Sequence, residues 1–384
     1  MSSRRLLLAV SRNGPWPHED GYTLRVGELL RQAAREWDIV LVAPLRSGAS
    51  VANDPIAFVE RIVVPVDDVR GPFMQVAQAR LLAAAQAVLA RHRPQATLLW
   101  GLLEATALAR FQPAVLDFID SMTLTHLRSA RHARALPDRL RHVRDALANA
   151  RAERRLVREA AASLVAGPTD AAVLRRLAGR DSVHVIPNGV DLPPPAAPGS
   201  RSADPSVIFT GVLGFPPNVD AAVWFAREVL PRIRQLHPNA RFVGAGRRPS
   251  AEVLALGALP GVSIEADVAD MTACLRRAWV AVAPMRRGAG VKNKVLEAWA
   301  AGLPVVMTPI ATNGLTLDAE ASGLVGRDAG ELASRIAQLF AAPEDLDRRG
   351  RAARDLAERQ HAWSKVGDAL LAVLDAVARQ PQTS

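Results

Sequence analysis

Cys274 is the only cysteine among 384 residues. Neither a disulfide framework nor a cysteine-held zinc site is available, and the expected role of this thiol is a small core side chain on a helix. Aromatic residues make up 4% of the chain, and no recognised motif interleaves them with the basic residues, so nucleic acid is not an expected partner. No apolar run approaches the length of a membrane-spanning helix, and Arg4-Arg5 followed by Leu6 to Val10 is too short for a signal sequence. A cytoplasmic location is expected. Hydrophobic residues, by contrast, reach 49% and the formal net charge is +10. The chain is too long for one core of ordinary size and apolar enough to bury two. Its basicity favours anionic partners, and genomic base composition is the plainer alternative account of the arginine excess.

Short apolar runs alternate with helical patterns, the signature of doubly wound parallel sheets. Strands are expected at 6–10, 39–43, 62–64, 97–100, 115–119, 163–166 and 183–186, then at 207–210, 241–244, 262–265, 280–283 and 305–308. Helical periodicity covers 24–37, 74–92 and an arginine-rich stretch from 127 to 161. Pro193, Pro194, Pro195, Pro198 and Pro205 with Gly199 give 192–206 the composition of a linker. The expected fold class is therefore α/β, with two Rossmann-like domains at 1–191 and 207–360 facing each other across a cleft lined by the carboxyl ends of both sheets, and a final helix at 361–384. No internal repeat is visible.

The most informative segment runs from Pro284 through Arg287-Gly288-Ala289-Gly290 and Lys292-Asn293-Lys294 to Glu297-Ala298, followed by Gly302-Leu303-Pro304-Val305-Val306. It reads as a strand end, a glycine loop with fixed cations, and a helix whose first turn can receive a phosphorylated ligand. Lys294 and Glu297 share a helix face, with Lys292 directed elsewhere. In this reading Arg287, Lys294 and the backbone N–H groups around Gly288 and Gly290 hold a nucleotide diphosphate, while Glu297 accepts hydrogen bonds from ribose hydroxyls. An ordinary amphipathic helix is the plainer alternative. With fixed cations supplying the charge, no metal or other cofactor is expected. Asp67-Asp68 and the Asp267/Asp270 pair read as turn or capping residues.

This segment resembles the family 4-like GT-B glycosyltransferases (glycosyl transferase group 1), in the subgroup with Arg-Gly-x-Gly and then Lys two residues before Leu-Glu-Ala. Other landmarks follow in family order. Gly21 to Arg25, Asp117-Phe118-Ile119-Asp120-Ser121 and Val185-Ile186-Pro187-Asn188-Gly189-Val190-Asp191 resemble N-domain segments. Ile208-Phe209-Thr210-Gly211, Pro217-Asn218-Val219-Asp220-Ala221 and Trp224-Phe225 resemble the opening of the nucleotide-binding domain. The resemblance implies a GT-B fold with a terminal helix that crosses back to the N-domain. It also implies a retaining, metal-independent hexosyltransferase that takes a UDP- or GDP-sugar as donor and a glycan or lipid-linked acceptor, in cell-surface polysaccharide biosynthesis. By the same resemblance Gly246 and Val268 lie around the base and Gly211 beside the donor, while Gly21 is expected to let the backbone approach a phosphate or an acceptor and Asp120 to contact the sugar or orient the acceptor hydroxyl.

Three departures matter. Ala289 stands where many relatives carry the first of two glutamates, no cation follows the first C-domain strand, and Ala266 replaces a usual glycine. The subgroup is expected to move the positive charge to Arg287 and Lys294. A nucleotide-sugar epimerase of the same fold and a non-catalytic nucleotide-sugar-binding protein are the alternatives. The arginine-rich helix has two readings, a solvated face paired with Asp138, Asp145, Glu153 and Glu159, or contact with an anionic membrane surface. His18 and His126 are read as local hydrogen-bonding groups or ligand contacts, and Trp224, Trp279 and Trp299 as core.

Overall fold

The computed structural model describes residues 4–18, 20–44, 54–64, 73–101, 111–133, 135–197, 199–288 and 290–380, so Asp67, Asp68 and Ala289 lie outside the described residues. Every strand expected from the sequence forms. The first unit contains β1 (Arg5–Ser11), β2 (Trp37–Ala43), β3 (Glu60–Val63), β4 (Ala96–Trp100), β5 (Ala114–Ile119), β6 (Ala162–Val165) and β7 (Val183–Val185). They pair in parallel in the order β3-β2-β1-β4-β5-β6-β7. The second unit contains β8 (Ser206–Val212), β9 (Arg241–Arg247), β10 (Val262–Ala266), β11 (Val280–Ala283) and β12 (Val305–Met307). These pair in parallel in the order β10-β9-β8-β11-β12. Strands such as Leu7 to Val10 and Val280 to Ala283 are buried along their length, as parallel strands with both faces covered must be.

The chain divides between Asn188 and Gly189 and again between Ala362 and Trp363, so residues from Trp363 onward join the first unit. The Trp363–Ala378 helix lays Val366, Leu370, Leu371 and Leu374 into the core shared with Leu29, Leu30 and Ala33 of the Gly21–Ala33 helix. Ion pairs Arg5–Asp375 (2.5 Å) and Arg35–Asp368 (2.9 Å) flank it. Segment 192–206 is not a free linker. The second unit holds it through Arg354 to the Pro193 carbonyl (2.7 Å), Arg276 to the Pro194 carbonyl, and Trp279 Nε1 to the Ser202 carbonyl (2.9 Å). Prolines leave their carbonyls as the available groups, and arginines of the second unit take two of them.

Two helix boundaries differ from the sequence expectation. The first helix begins at Gly21 because Asp20 and Thr23 form a reciprocal cap, and it ends at Ala33, leaving Trp37 to start β2. The arginine-rich stretch is two helices, Met122–His132 and Leu136–Glu159, with Pro137 in the first turn of the second. No helix among the described residues is long and apolar enough to cross a membrane.

Candidate functional site

In an open parallel sheet ligands collect beyond the carboxyl ends of the strands, where the winding direction reverses. In the second unit that point lies between β8 and β11, since β9 and β10 continue on one side and β12 on the other. The end of β8 is Thr210-Gly211-Val212, and β11 runs into the loop 284–292 and the Asn293–Ala300 helix. The helix is set by a buried face of Val295, Leu296, Ala298 and Trp299. Its end is closed by the Gly302 and Leu303 N–H groups donating to the Trp299 and Ala298 carbonyls, each at 2.9 Å. At its start Lys292 occupies the cap position without a side-chain hydrogen bond to the turn, and its carbonyl accepts the Val295 N–H (2.8 Å).

Lys294 reaches from this helix to the end of β8. Its Nζ lies 3.1 Å from the position a β-carbon on Gly211 would take, donates to Asn218 Oδ1 at 2.8 Å, and sits 4.0 Å from the centre of the Phe209 ring. Gly211 therefore does have a cation beside it, delivered by another helix. Lys294 and Glu297 both keep some water-accessible surface but stand in a recess walled by protein. That environment pushes the Lys294 ammonium down to about 7; Glu297 acts against the shift and Lys292 adds to it. Burial likewise pushes the Glu297 carboxyl up, opposed first by Lys294 and then by Arg247. An ammonium with such weak solvation gains strongly from an incoming phosphate, which removes the penalty on its charge.

Several expectations are revised by these contacts. Lys292 precedes the helix, and its Nζ donates to the Gly290 carbonyl (2.6 Å) and the Gly288 carbonyl (3.4 Å), stitching the glycine loop from one side. Within the planar 290–291 peptide the Val291 N–H points opposite the Gly290 carbonyl, away from Lys292. Arg287 does not join Lys294 and Glu297. It pairs with Asp220 (3.1 Å) beside Arg286, which holds the same carboxylate through two nitrogens (2.6 and 3.1 Å). These arginines line a cavity of about 690 Å³ against the Pro216–Trp224 helix, whose lining includes none of Lys294, Glu297, Gly211 and Gly246. Asp220 lies 66 residues before Arg286 in the sequence, so no local pattern gives warning of this pairing.

Gly246, next to last in β9, pairs with Gly211 of β8 and has φ 156°, and a β-carbon there would lie 1.8 Å from the Gly211 carbonyl oxygen. Its first role is thus to let the two strand ends meet. Val268 is partly buried in the turn after β10, and the preceding Asp267 ties that turn to β9: its N–H donates to the Gly246 carbonyl (2.7 Å) and its carboxylate accepts the Arg248 N–H (2.9 Å). Asp270 caps the Met271–Arg277 helix. The chain has one Asp-x-Asp triplet, Asp345-Leu346-Asp347, on the Pro343–Gln360 helix. Asp345 is taken by Arg348 (2.5 Å) and Arg349 (2.9 Å), and Asp347 by Arg201 (2.6 Å). Among the described residues no three His, Cys, Asp or Glu side chains converge as metal ligands would.

In the first unit Asp120 follows β5 directly, at a bulge where Ile119 takes φ 68°. The bulge is fixed by Asp117, which accepts the Ile119 N–H (2.9 Å) and two hydrogen bonds from buried Arg25 (2.8 and 3.1 Å); Arg25 also donates to the Ile186 carbonyl and Asn188 Oδ1. The arginine after the glycine turn is therefore a structural tie. Gly21 is exposed as the first residue of its helix. His126 meets His142 across two helices at 3.3 Å, and His18 packs against Gly27. Cys274 and Trp299 are buried, whereas Trp224 and Trp279 are only partly so.

The sequence reading missed Asn218. Its Nδ2 donates to the Val212 carbonyl (2.9 Å) while its Oδ1 receives Lys294, so it fixes the ammonium against the end of β8. The visible signal is its place in the first turn of a proline-started helix, where a short amide can reach back to the preceding strand.

Residues 204–342 match the family model described as Glycosyl transferases group 1. A glycogen synthase of Mycobacterium tuberculosis (strain ATCC 25618 / H37Rv) is 30% identical over 222 residues, 53% of this chain and 51% of the relative. The chain thus spans about half the length of the curated relative it matches. Solved structures match almost throughout. A sucrose-phosphate synthase from Thermosynechococcus elongatus gives a TM-score of 0.71 at 16% identity over 97% of this chain and 99% of the other. Anabaena HepE in complex with UDP and glucose gives 0.66 at 14% identity over 97% and 100%. The chain has the GT-B fold, and its residues 204–342 are similar to the Glycosyl transferases group 1 family.

Proposed function

We propose that the protein is a retaining, metal-independent glycosyltransferase that moves a hexosyl group from a UDP- or GDP-sugar to a glycan or lipid-linked acceptor in cell-surface polysaccharide biosynthesis. The observation that carries this reading is the Lys294 ammonium, held by Asn218 beside Gly211 at the switch point of the second sheet. The family match of that unit and the UDP complex of a fold relative support it. In the reaction the bond from the sugar's anomeric carbon to the diphosphate breaks and a bond to the acceptor oxygen forms, with the acceptor proton passing to the departing phosphate oxygen. The negative charge that develops on the diphosphate is met by Lys294, by the Val291 N–H and by the uncapped first turn of the Asn293–Ala300 helix. Glu297, one turn on, receives the ribose hydroxyls. Arg287 can contribute only after leaving Asp220.

Thermal unfolding with nucleotides tests the site. UDP or GDP should raise the midpoint of the wild type, by an amount that grows with ligand concentration, and should not do so for Lys294→Ala or Glu297→Ala. Equal stabilisation of all three proteins would remove Lys294 and Glu297 from the site.

Proton linkage is a second test. Lys294 titrates near 7 in the free protein, and a bound diphosphate raises that value. At pH 8 the free amine is mostly neutral, so binding takes up about one proton, and affinity weakens as pH rises further. Calorimetry in buffers of different ionisation enthalpy should register this uptake, and Lys294→Met should abolish it. Binding at pH 8 with no buffer dependence would contradict the assignment.

A further inference from the structure

The Leu136–Glu159 helix carries an apolar stripe that no part of the described chain covers. Leu136, Leu140, Val143 and Leu147 are 66, 60, 39 and 55% exposed. Their spacing places them within about 60° of arc, along roughly 17 Å of helix. The face that packs on the first unit is a different one, carrying Ala146, Glu153 and Val157. A helix that is merely solvated has no reason to line its outer surface with leucine.

The charges around the stripe are sorted. Arg139 and Arg144 border it on either side, while Arg151 and Arg154 continue it toward the carboxyl end, and all four are exposed. Asp138 and Asp145 lie on the far side of the helix, about 180° away, paired with Arg141 (3.0 Å) and Arg144 (3.1 Å). Arg139, Arg151 and Arg154 have no ion-pair partner among the described residues. We propose that this face is a docking surface for an anionic lipid bilayer, with the stripe entering the headgroup boundary and the Arg139, Arg151 and Arg154 guanidiniums meeting lipid phosphates. The combination of a narrow apolar stripe with cations on its borders and acids behind it is what such an interface selects. A protein partner would be met by a broader apolar patch with charges of both signs at its rim.

The test is flotation of the full chain with phosphatidylcholine vesicles, with and without phosphatidylglycerol. The wild type should float with the anionic vesicles and remain behind with neutral ones, and high salt should release much of it. Leu140→Ser/Leu147→Ser, with unchanged circular dichroism and melting, should lose about tenfold or more of its partitioning; Arg151→Gln/Arg154→Gln should lose less and depend less steeply on salt. Three results overturn the proposal: no flotation with anionic vesicles, equal flotation of the leucine variant, or a dimer in sedimentation that the leucine variant dissociates.

Discussion

Replacing Lys294 with methionine should lower turnover about a hundred- to a thousandfold, the usual cost of deleting one preorganised group that meets developing negative charge. The same variant should be at least as stable as the wild type. The reason lies in the ammonium's surroundings: a recess that depresses its titration from 10.5 to about 7 makes the charged form unfavourable in the folded state. Because the folded value is below the unfolded one, this cost is present in full below pH 7 and fades as pH rises toward 10. Methionine removes the charge and can set its thioether against the Phe209 ring that the ammonium now faces at 4.0 Å. Activity and melting temperature should therefore move apart, activity falling steeply while the ligand-free midpoint holds or rises near neutral pH. A midpoint that fell in step with activity would mark Lys294 as a structural residue, and unchanged turnover would end its catalytic role.

Gly246→Ala should destabilise the second unit by about 3 kcal/mol or more, adding the strain of a non-glycine residue in this backbone region to an overpacked contact. The contact is severe because both sides are backbone: the new carbon would lie 1.8 Å from the Gly211 carbonyl oxygen and 2.9 Å from its carbon. Neither strand end can rotate away as a side chain would. In a unit of this size the loss corresponds to a fall of roughly 6–12 °C in its melting midpoint. Gly257→Ala is the control, since nothing lies within 4 Å of its added carbon, and it should melt like the wild type. Should Gly246→Ala also melt like the wild type, the close approach of β8 and β9 is not a constraint on the fold.

The strands were legible because parallel strands buried on both faces are written as continuous apolar runs, and Val280 to Ala283 needs no partner to be recognised. The glycine loop and the Lys294/Glu297 face were legible for a similar local reason, since three residues along one helix fix their relation. What escaped was set by distance in sequence. Asp220 captures Arg286 and Arg287 from more than 60 residues away, Asn218 holds Lys294 from 76, and Asp117 meets Arg25 from 92. No periodicity encodes which carboxylate an arginine will find. The proline-rich 192–206 segment misled in another way, because its composition forecasts a lack of packing while its carbonyls are held by distant arginines.

The return of the last helix to the first unit has a consequence for synthesis. A nascent chain ending near residue 362 already holds everything the five-stranded core requires, with the Val190 N–H bonded to the His361 carbonyl where the segment closes on itself. The seven-stranded sheet, although translated earlier, still lacks the cover for Leu29, Leu30 and Ala33 until Val366 to Leu374 has emerged. The half made first on the ribosome is thus the half finished last.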